Sequence, residues 1–337
     1  MSTPLAEKTH AFQHLHAAHC ESGVMASMLT HYGLPLSEPM AFGLGAGLAF
    51  AVIPFVKLAG QPLIAYRMPP RSIVRGVRKR LGVKMVFRTF RNPEAGMRAL
   101  DERIDAGHPV GLQTNVYWLP FFPEEMRLHF NAHNLIVYGR RGDEYLISDP
   151  VFEAPVTTDR ASLQRARFAK GVLAAKGMMY YPTFVPESAD LPGALRSAVR
   201  ANLRTMTGAP FPMIGIRGIR YLSRRLRRTA ARGAARDLKL LLGHVVRMQE
   251  EIGTGGAGFR FLYASFLQEA SRLVASDVLA DGSRRMTRAG DAWRGFALAA
   301  TRLAKGRGDV GIDDVCKILE ECAELEAEVW EGLRAFV

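Results

Sequence analysis

Cysteine is scarce in this chain of 337 residues, which contains only Cys20, Cys316 and Cys322. Three cysteines are too few for a disulfide framework. The opening residues, MSTPLAEKTHAFQ, also lack the basic and then apolar pattern of a signal peptide. We therefore expect a protein of the reducing cytoplasm.

Charge is absent from one stretch, Pro39 to Val56, which is about long enough to cross a bilayer. It is nevertheless a poor membrane span, because Gly43, Gly45 and Gly47 interrupt the helix that lipid demands. We interpret the stretch as a buried helix, turn and strand, and we expect no membrane span.

Acidic residues are almost missing from two segments of a chain whose formal net charge is +13. Residues 67–91 contain nine basic residues and no acidic one. Residues 200–239 contain eleven basic residues and a single acidic one, Asp237. Such segments either attract a polyanion or form solvated helix faces. No zinc-finger spacing, aromatic RNA-binding motif or helix-turn-helix accompanies them, so we expect no nucleic-acid partner.

Strand patterns occupy the first half of the chain and nearly vanish beyond PTFVPESADLPG. Short runs rich in Val, Ile and Tyr, such as HNLIVYGRRG and EYLISDP, predict antiparallel strands. The later chain has helical periodicity, and apolar residues recur from Phe259 as on the buried face of a helical bundle. We predict an α+β domain over residues 1–187 and a helical domain over residues 188–337.

Cys20 stands where a helix is predicted to begin. An apolar stripe runs through residues 20–32, and Gly33 then supplies a natural stop. A thiol becomes a strong nucleophile near a helix N-terminus and beside an imidazole. Cys20 has the first of these by position, although a cysteine at a helix start is more often a small buried residue.

The imidazole is best supplied by the run AHNLIVYGRRGDEYLISDP. His133 begins a strand, residues 140–143 form a hairpin turn, and Asp149 ends the return strand. Because a hairpin folds back on itself, His133 and Asp149 should finish side by side at one sheet edge. A carboxylate placed there can orient an imidazole toward a nucleophile. The order Cys, His, Asp favours catalysis over the alternative of an ordinary Asp-Pro turn.

Several motifs together resemble a known family. HCESGVMASMLTHYGLPLSEPMAFGLGAGL, followed by HNLIVYG and ISDP, resembles the N-terminal domain of butirosin biosynthesis protein H and its relatives. IGTGGAGFRFLYASFLQEA resembles the helical domain that often follows it. The resemblance implies a papain-like fold, with an antiparallel sheet packed on an N-terminal nucleophile helix, and Cys20, His133 and Asp149 as the triad.

The resemblance also implies an acyltransferase that moves an acyl group from the phosphopantetheine arm of an acyl carrier protein to an amine. We expect transfer through a Cys20 acyl-enzyme in natural-product biosynthesis, with no tightly bound cofactor. The basic faces would dock an acidic carrier protein, and the acceptor would be a small amine. The alternatives are a peptidase or amidase of the same fold, and an inactive binding module. A homodimer is left open.

Three histidines lie in the six residues that precede Cys20. Zinc prefers imidazole and thiolate ligands, but the spacing of His14, His16, His19 and Cys20 matches no structural zinc motif, so we expect no metal. Papain-like enzymes complete the oxyanion hole with a side-chain donor just before the cysteine. The histidines are therefore candidates for the oxyanion and substrate side, with His14 favoured and Gln13 a further candidate.

Two other motifs have both a structural and a functional interpretation. Glu38 either compensates the dipole of a helix capped by Ser37 or accepts a substrate amine. In GTGGAGFR, the backbone amides of Gly255 and Gly256, with Arg260, either hold a phosphate of the carrier arm or form a structural turn.

The aromatic segment YWLPFFPEEMRLHF, which begins at Tyr117, is a third such motif. It is either a lid over an acyl-binding groove or a hydrophobic loop anchor.

Overall fold

Strands and helices alternate through the first half of the chain, and helices dominate the second half. The computed structural model describes residues 12–58, 60–233, 235–308 and 310–337. In chain order the elements are α1 (Cys20–His31), α2 (Glu38–Leu44), β1 (Leu48–Leu58), β2 (Gln61–Arg67), α3 (Ser72–Arg80), β3 (Lys84–Arg88), α4 (Pro93–Asp105), β4 (Val110–Thr114), β5 (His133–Arg141), β6 (Glu144–Ser148), β7 (Val156–Asp159), α5 (Arg160–Phe168), β8 (Met179–Phe184), α6 (Leu191–Thr207), α7 (Gly215–Ala231), α8 (Ala235–Glu250), α9 (Arg260–Leu273), α10 (Asp277–Ala304) and α11 (Ile312–Leu333).

The main sheet has six antiparallel strands in the order β3-β8-β4-β5-β6-β7. β5 and β6 form the predicted hairpin, in which Ile136 lies opposite Ser148. Leu135 and Val137 of β5 belong to a buried core that also contains Leu100 of α4 and Leu163 of α5. This packing holds β5 rigidly at the centre of the sheet.

The first helix, α1, is buried almost all round and packs against β5. A helix that is apolar on every side belongs inside a domain, and Val24, Met25 and Met28 are fully buried here. Gly33, with a φ of +86°, ends the helical segment in the left-handed conformation that glycine tolerates. The first residue of α1 is therefore held by both the helix and the sheet.

Two compact units divide the chain, and the division is not linear. One unit contains residues 12–41 and 73–190, and the other contains residues 42–72 and 191–337. The β1–β2 hairpin thus groups with the helices: the Asn202 side chain donates to the Leu48 carbonyl at 2.6 Å, and the Val52 amide donates to the Met213 carbonyl at 2.9 Å. The predicted domains, 1–187 and 188–337, place this hairpin on the other side of the boundary.

The predicted α+β class is confirmed, with an antiparallel sheet on the nucleophile helix and a helical C-terminal region. The stretch from Pro39 to Val56 forms a helix, a turn and a strand, as its glycines predicted. In the described part of the chain, no helix is both long enough and apolar enough to cross a membrane. The helix predicted from Phe259 is α9, and its apolar face is buried except at Leu273.

Candidate active site

Cys20 is the first residue of α1, as predicted. His19 is the N-cap and adopts an extended backbone, and its Nδ1 accepts a hydrogen bond from the Ser22 amide at 3.4 Å. The free amides of a helix N-terminus favour negative charge nearby. Cys20 is only 8% exposed, so this residue lies in a largely desolvated position.

His133 and Asp149 meet at the edge of the hairpin. His133 is the first residue of β5, and Asp149 directly follows β6. The imidazole Nε2 and the Asp149 Oδ2 are 2.6 Å apart, and both side chains are buried. The Asp149 Oδ1 also accepts from the Val151 amide at 3.3 Å, which fixes the carboxylate. The predicted pairing of these two residues is therefore present.

The three predicted triad residues are gathered at one place, because Cys20 lies close enough to His133 to influence its imidazole. Since Nε2 of the imidazole faces Asp149, Nδ1 is the nitrogen left for the sulfur. Burial lowers the pKa of His133, but the Asp149 carboxylate, with a smaller contribution from the nearby Cys20, outweighs this effect and raises the pKa to about 10. A protonated imidazole at neutral pH is the partner that a thiolate nucleophile needs.

Close packing of α1 brings the Asp149 turn to the nucleophile. A Cβ on Gly23 would stand 2.6 Å from the Pro150 Cβ and 2.7 Å from the Ala17 Cβ. The Ala17 amide donates to the Pro150 carbonyl at 2.7 Å, which ties the segment before α1 to the same turn. Only glycine permits this approach, so Gly23 positions Asp149 beside the helix that carries Cys20.

An aromatic ring covers the imidazole. Phe122 meets His133 edge-on, with ring centroids 5.3 Å apart and planes at 87°. The Arg127 guanidinium donates to the Phe122 carbonyl at 2.7 Å and to the Pro120 carbonyl at 2.6 Å. The aromatic segment is therefore an anchored loop over His133, and its role as a lid over an acyl groove stays a prediction.

Buried side-chain amides hold the two ends of this loop together. Asn115 donates to the Asn131 side-chain oxygen at 2.6 Å, and Gln113 donates to the Asn131 carbonyl at 2.7 Å. Asn131 in turn donates to the Val172 carbonyl at 2.9 Å. A fully bonded buried network of this kind fixes a single geometry just before His133.

Glu38 supports the start of α1. Its two oxygens accept from the amides of Ala18 at 2.9 Å and His19 at 2.7 Å, and from the Ser22 hydroxyl at 3.2 Å. Burial raises the pKa of Glu38 and these hydrogen bonds oppose the rise. Ser37 does cap α2, as the structural interpretation predicted, since its Oγ accepts from the Met40 amide at 3.1 Å. The bonds to α1 leave Glu38 poorly placed to accept a substrate amine.

The predicted oxyanion donors occupy different positions. His14 has both ring nitrogens in use, with the Ser148 hydroxyl at 2.8 Å and the Phe152 carbonyl at 3.0 Å. His14 must therefore break a bond before it can donate to an oxyanion. His16 and Gln13 are exposed and, within the described residues, neither makes a hydrogen bond.

Arg260 is not available to a carrier phosphate, which corrects one prediction. Its guanidinium is fully buried, donates to Glu326 at 2.9 Å and to the Gly258 carbonyl at 2.7 Å, and faces the Trp293 ring at 5.0 Å. The preceding glycines, including Gly255 and Gly256, have positive φ angles, so this motif forms the structural turn that was the alternative interpretation.

Cys316 and Cys322 are buried in α11, which belongs to the other unit. Across residues 12–58, 60–233, 235–308 and 310–337, no group of three or more His, Cys, Asp or Glu side chains is placed to hold a metal ion.

A cysteine that begins a buried helix, beside a histidine on the sheet that this helix packs against, is the arrangement of a papain-like cysteine enzyme. The chain belongs to the butirosin biosynthesis protein H-like family. The model of the butirosin biosynthesis protein H N-terminal domain matches residues 19–150, and the model of a domain of unknown function (DUF4872) matches residues 161–333.

Among solved structures, this chain is similar to one described as a C39-like peptidase from Bacillus anthracis. The match covers 55% of this chain and the full length, 100%, of that one. The two share 16% identity with a TM-score of 0.35, a similarity too low to say anything about activity. Among curated proteins no match was found.

Proposed function

We propose that this protein is a thiol acyltransferase that takes an acyl group from the phosphopantetheine thioester of an acyl carrier protein and passes it to a small amine. The proximity of Cys20 to the hydrogen-bonded pair of His133 and Asp149 supports the acyl-transfer part of the proposal. The carrier and the amine come from the family resemblance. Natural-product biosynthesis and a cytoplasmic location stay predictions from the sequence.

The first step forms an acyl-enzyme. The Cys20 thiolate attacks the thioester carbonyl and gives a tetrahedral oxyanion. The carbon–sulfur bond to pantetheine then breaks, and the imidazolium of His133 gives its proton to the leaving pantetheine sulfur. Asp149 keeps the imidazole in one orientation throughout, as the 2.6 Å bond to Nε2 requires. No metal or tightly bound cofactor takes part in these steps.

The second step releases the product. The acceptor amine attacks the thioester carbonyl of acylated Cys20, and neutral His133 takes a proton from the amine. When the carbon–sulfur bond breaks, the thiolate–imidazolium pair is restored and the amide leaves. The same chain of residues would hydrolyse the acyl-enzyme if water replaced the amine, so the two reactions differ only in what the site admits.

The oxyanion needs two donors. The backbone amide of Cys20, at the free N-terminus of α1, is one. Of the predicted candidates for the second donor, we favour His16, with Gln13 as the alternative, because both are exposed and make no hydrogen bonds within the described residues, whereas both ring nitrogens of His14 are in use. Loss of one such donor costs about 100-fold in the rate of acylation. Whichever of His16→Ala and Gln13→Ala shows this loss identifies the donor.

Intact mass spectrometry tests the proposal. The protein is incubated with an acylated carrier protein or with a simple acyl-pantetheine thioester and then weighed. We expect one acyl adduct on the wild type and on a Cys316→Ala control, and none on Cys20→Ala. Peptide cleavage with no adduct from any thioester would instead establish a hydrolase, and no Cys20-dependent reaction at all would indicate a binding module.

Salt dependence tests the carrier separately. An acidic carrier on a basic surface associates faster at low ionic strength. Acylation by the carrier-bound thioester should therefore slow as salt is added, whereas acylation by free pantetheine thioester should not. Equal sensitivity of both donors would remove the electrostatic docking from the proposal and leave the acyl transfer intact.

A further inference from the structure

One side of α7 carries arginines that packing does not use. Two other arginines of α7 do have partners. Arg227 pairs with Asp313 at 3.1 Å and with Glu320 at 2.5 Å, and Arg217 donates to the Ala209 carbonyl. These contacts join α7 to α11 and to the preceding loop. Arg217 and Arg227 are therefore structural residues.

The other arginines surround a small cavity. It has a volume of about 120 Å³ and is lined by Tyr221, Arg224, Arg225, Arg228, Thr229 and Arg232. Of the carboxylates in the described residues, none lies within 4.0 Å of these four guanidinium groups. The Arg225 Nε is buried and has no hydrogen-bond partner.

Such an arrangement opposes folding unless an anion is present. Arg224 and Arg228, and again Arg228 and Arg232, are four residues apart, and like charges at this spacing destabilise a helix. A buried guanidinium N–H without a partner adds a further cost. A negatively charged group in the cavity would offset the repulsion between the arginines.

The cavity selects the size and kind of anion. The space of about 120 Å³ corresponds to several water positions at roughly 10–15 Å³ each, so the cavity has room for one compact anion with a few waters. Guanidinium forks match the oxygens of a phosphate, and the Tyr221 hydroxyl adds a neutral donor. The Thr229 hydroxyl already donates to the Arg225 carbonyl at 3.0 Å, so only its lone pairs face the cavity.

We propose that this arginine pocket of α7 binds the phosphate group of a small soluble phosphorylated ligand. The pocket lies in the helical unit, whereas Cys20 lies in the other, so the proposal does not depend on the proposed function. A nucleic acid or a membrane would require an extended surface, and the small volume of this pocket favours a single phosphate group.

Thermal unfolding of the full chain tests the pocket with inorganic pyrophosphate as the probe, and sodium chloride holds the ionic strength constant. A ligand that binds only the folded state raises the unfolding midpoint with the logarithm of its concentration. We expect this rise in the wild type and at least a tenfold weaker apparent affinity in Arg224→Gln/Arg228→Gln.

The matched control is Arg288→Gln/Arg302→Gln on α10. Both of these arginines are exposed and make no ion pair within the described residues, so the change in net charge is the same as in the pocket variant. The control should bind pyrophosphate as the wild type does. Without pyrophosphate, the pocket variant should unfold at or above the wild-type midpoint, because like-charge repulsion is removed.

Arg232→Gln, just beyond α7, provides a second variant that cannot disturb the helix interior, and it should also weaken pyrophosphate binding. Equal midpoint shifts in the pocket variant and the control would overturn the proposal, as would a shift that chloride alone reproduces. Binding of single-stranded DNA or phosphatidylglycerol vesicles that depends on Arg224 and Arg228, with no binding of pyrophosphate, would assign the arginines to a macromolecular surface instead.

Discussion

The Asp149 carboxylate is bonded to Nε2 of His133 at 2.6 Å in a buried site, and this bond keeps the imidazole charged. Asp149→Asn preserves the shape and removes the charge. We expect acyl-enzyme formation to slow by about 100-fold or more, because the imidazole loses the charge that favours its protonated form. Single-turnover acylation followed by intact mass gives the rate, and a rate within twofold of the wild type would contradict the assignment.

The same bond predicts how stability depends on pH. The pKa of His133 is raised from 6.5 to about 10, so between these values the folded protein holds a proton that the unfolded chain has lost. The stabilisation is full below pH 6.5 and is lost as pH rises toward 10. Urea unfolding across this window should show a decline in the wild type that is smaller in Asp149→Asn; parallel curves would argue against a charged His133.

Gly23→Ala should damage the site through overpacking. The new Cβ would fall 2.6 Å from the Pro150 Cβ, so the Asp149 turn or α1 must shift, at a cost of about 1–3 kcal/mol. Gly243→Ala is the matched control, since Gly243 lies in α8 and nothing stands within 4 Å of its added Cβ. That variant should gain about 0.5–1 kcal/mol. Urea unfolding of both separates the two effects, and a stabilised Gly23→Ala would refute the close approach.

Arg127 should act on the chemistry through Phe122. In Arg127→Ala, the carbonyls of Phe122 and Pro120 lose their donor, and the ring that covers His133 becomes free to move. We expect water to reach the imidazole and the pH profile of acylation to shift. Arg165→Ala, which removes an exposed arginine above Trp118 in the same loop region, is the control. If both variants keep the wild-type pH profile, Phe122 does not shield His133.

The Arg260–Glu326 pair should behave as a buried ion pair. Arg260→Met leaves the Glu326 carboxylate charged and buried with only the Trp293 indole as donor at 2.7 Å, which should cost about 3–5 kcal/mol. Arg260→Met/Glu326→Leu removes both charges and should cost less than the single change. Urea unfolding of the three proteins decides this, and additive losses would show that the two residues stabilise the helices independently.

The parts of the site that the sequence predicted depend on local patterns. His133 and Asp149 bracket one hairpin, so the return of a single antiparallel strand was enough to predict their contact. The position of Cys20 at a helix start could be predicted because an apolar helical stripe begins at that residue. The contact of Cys20 with His133 needed the family resemblance as well, since no local pattern fixes how α1 packs on β5.

Other features of the structure could not be predicted from the sequence, because the residues that contact one another lie far apart in the chain. Helix α5 shows only a weak apolar stripe and buries Arg167, whose charge suggests a surface residue; the guanidinium instead donates to the carbonyls of Gly96 and Gly177 at 2.9 and 3.0 Å. Arg260 is a similar case, because its partner Glu326 lies 66 positions later in the chain. Phe122 could have been suspected only from its place in an aromatic run before His133.

The interleaved path of the chain sets an order of events during synthesis. The first unit is complete once Asp190 has emerged, but the β1–β2 hairpin is already made and its partners are not: Asn202 follows Leu48 by 154 residues. Since domains fold as units from the N-terminus during translation, the apolar side chains of the hairpin stay uncovered until the later helices have been made. A nascent chain paused within α6 thus still exposes the hairpin surface that the completed protein buries.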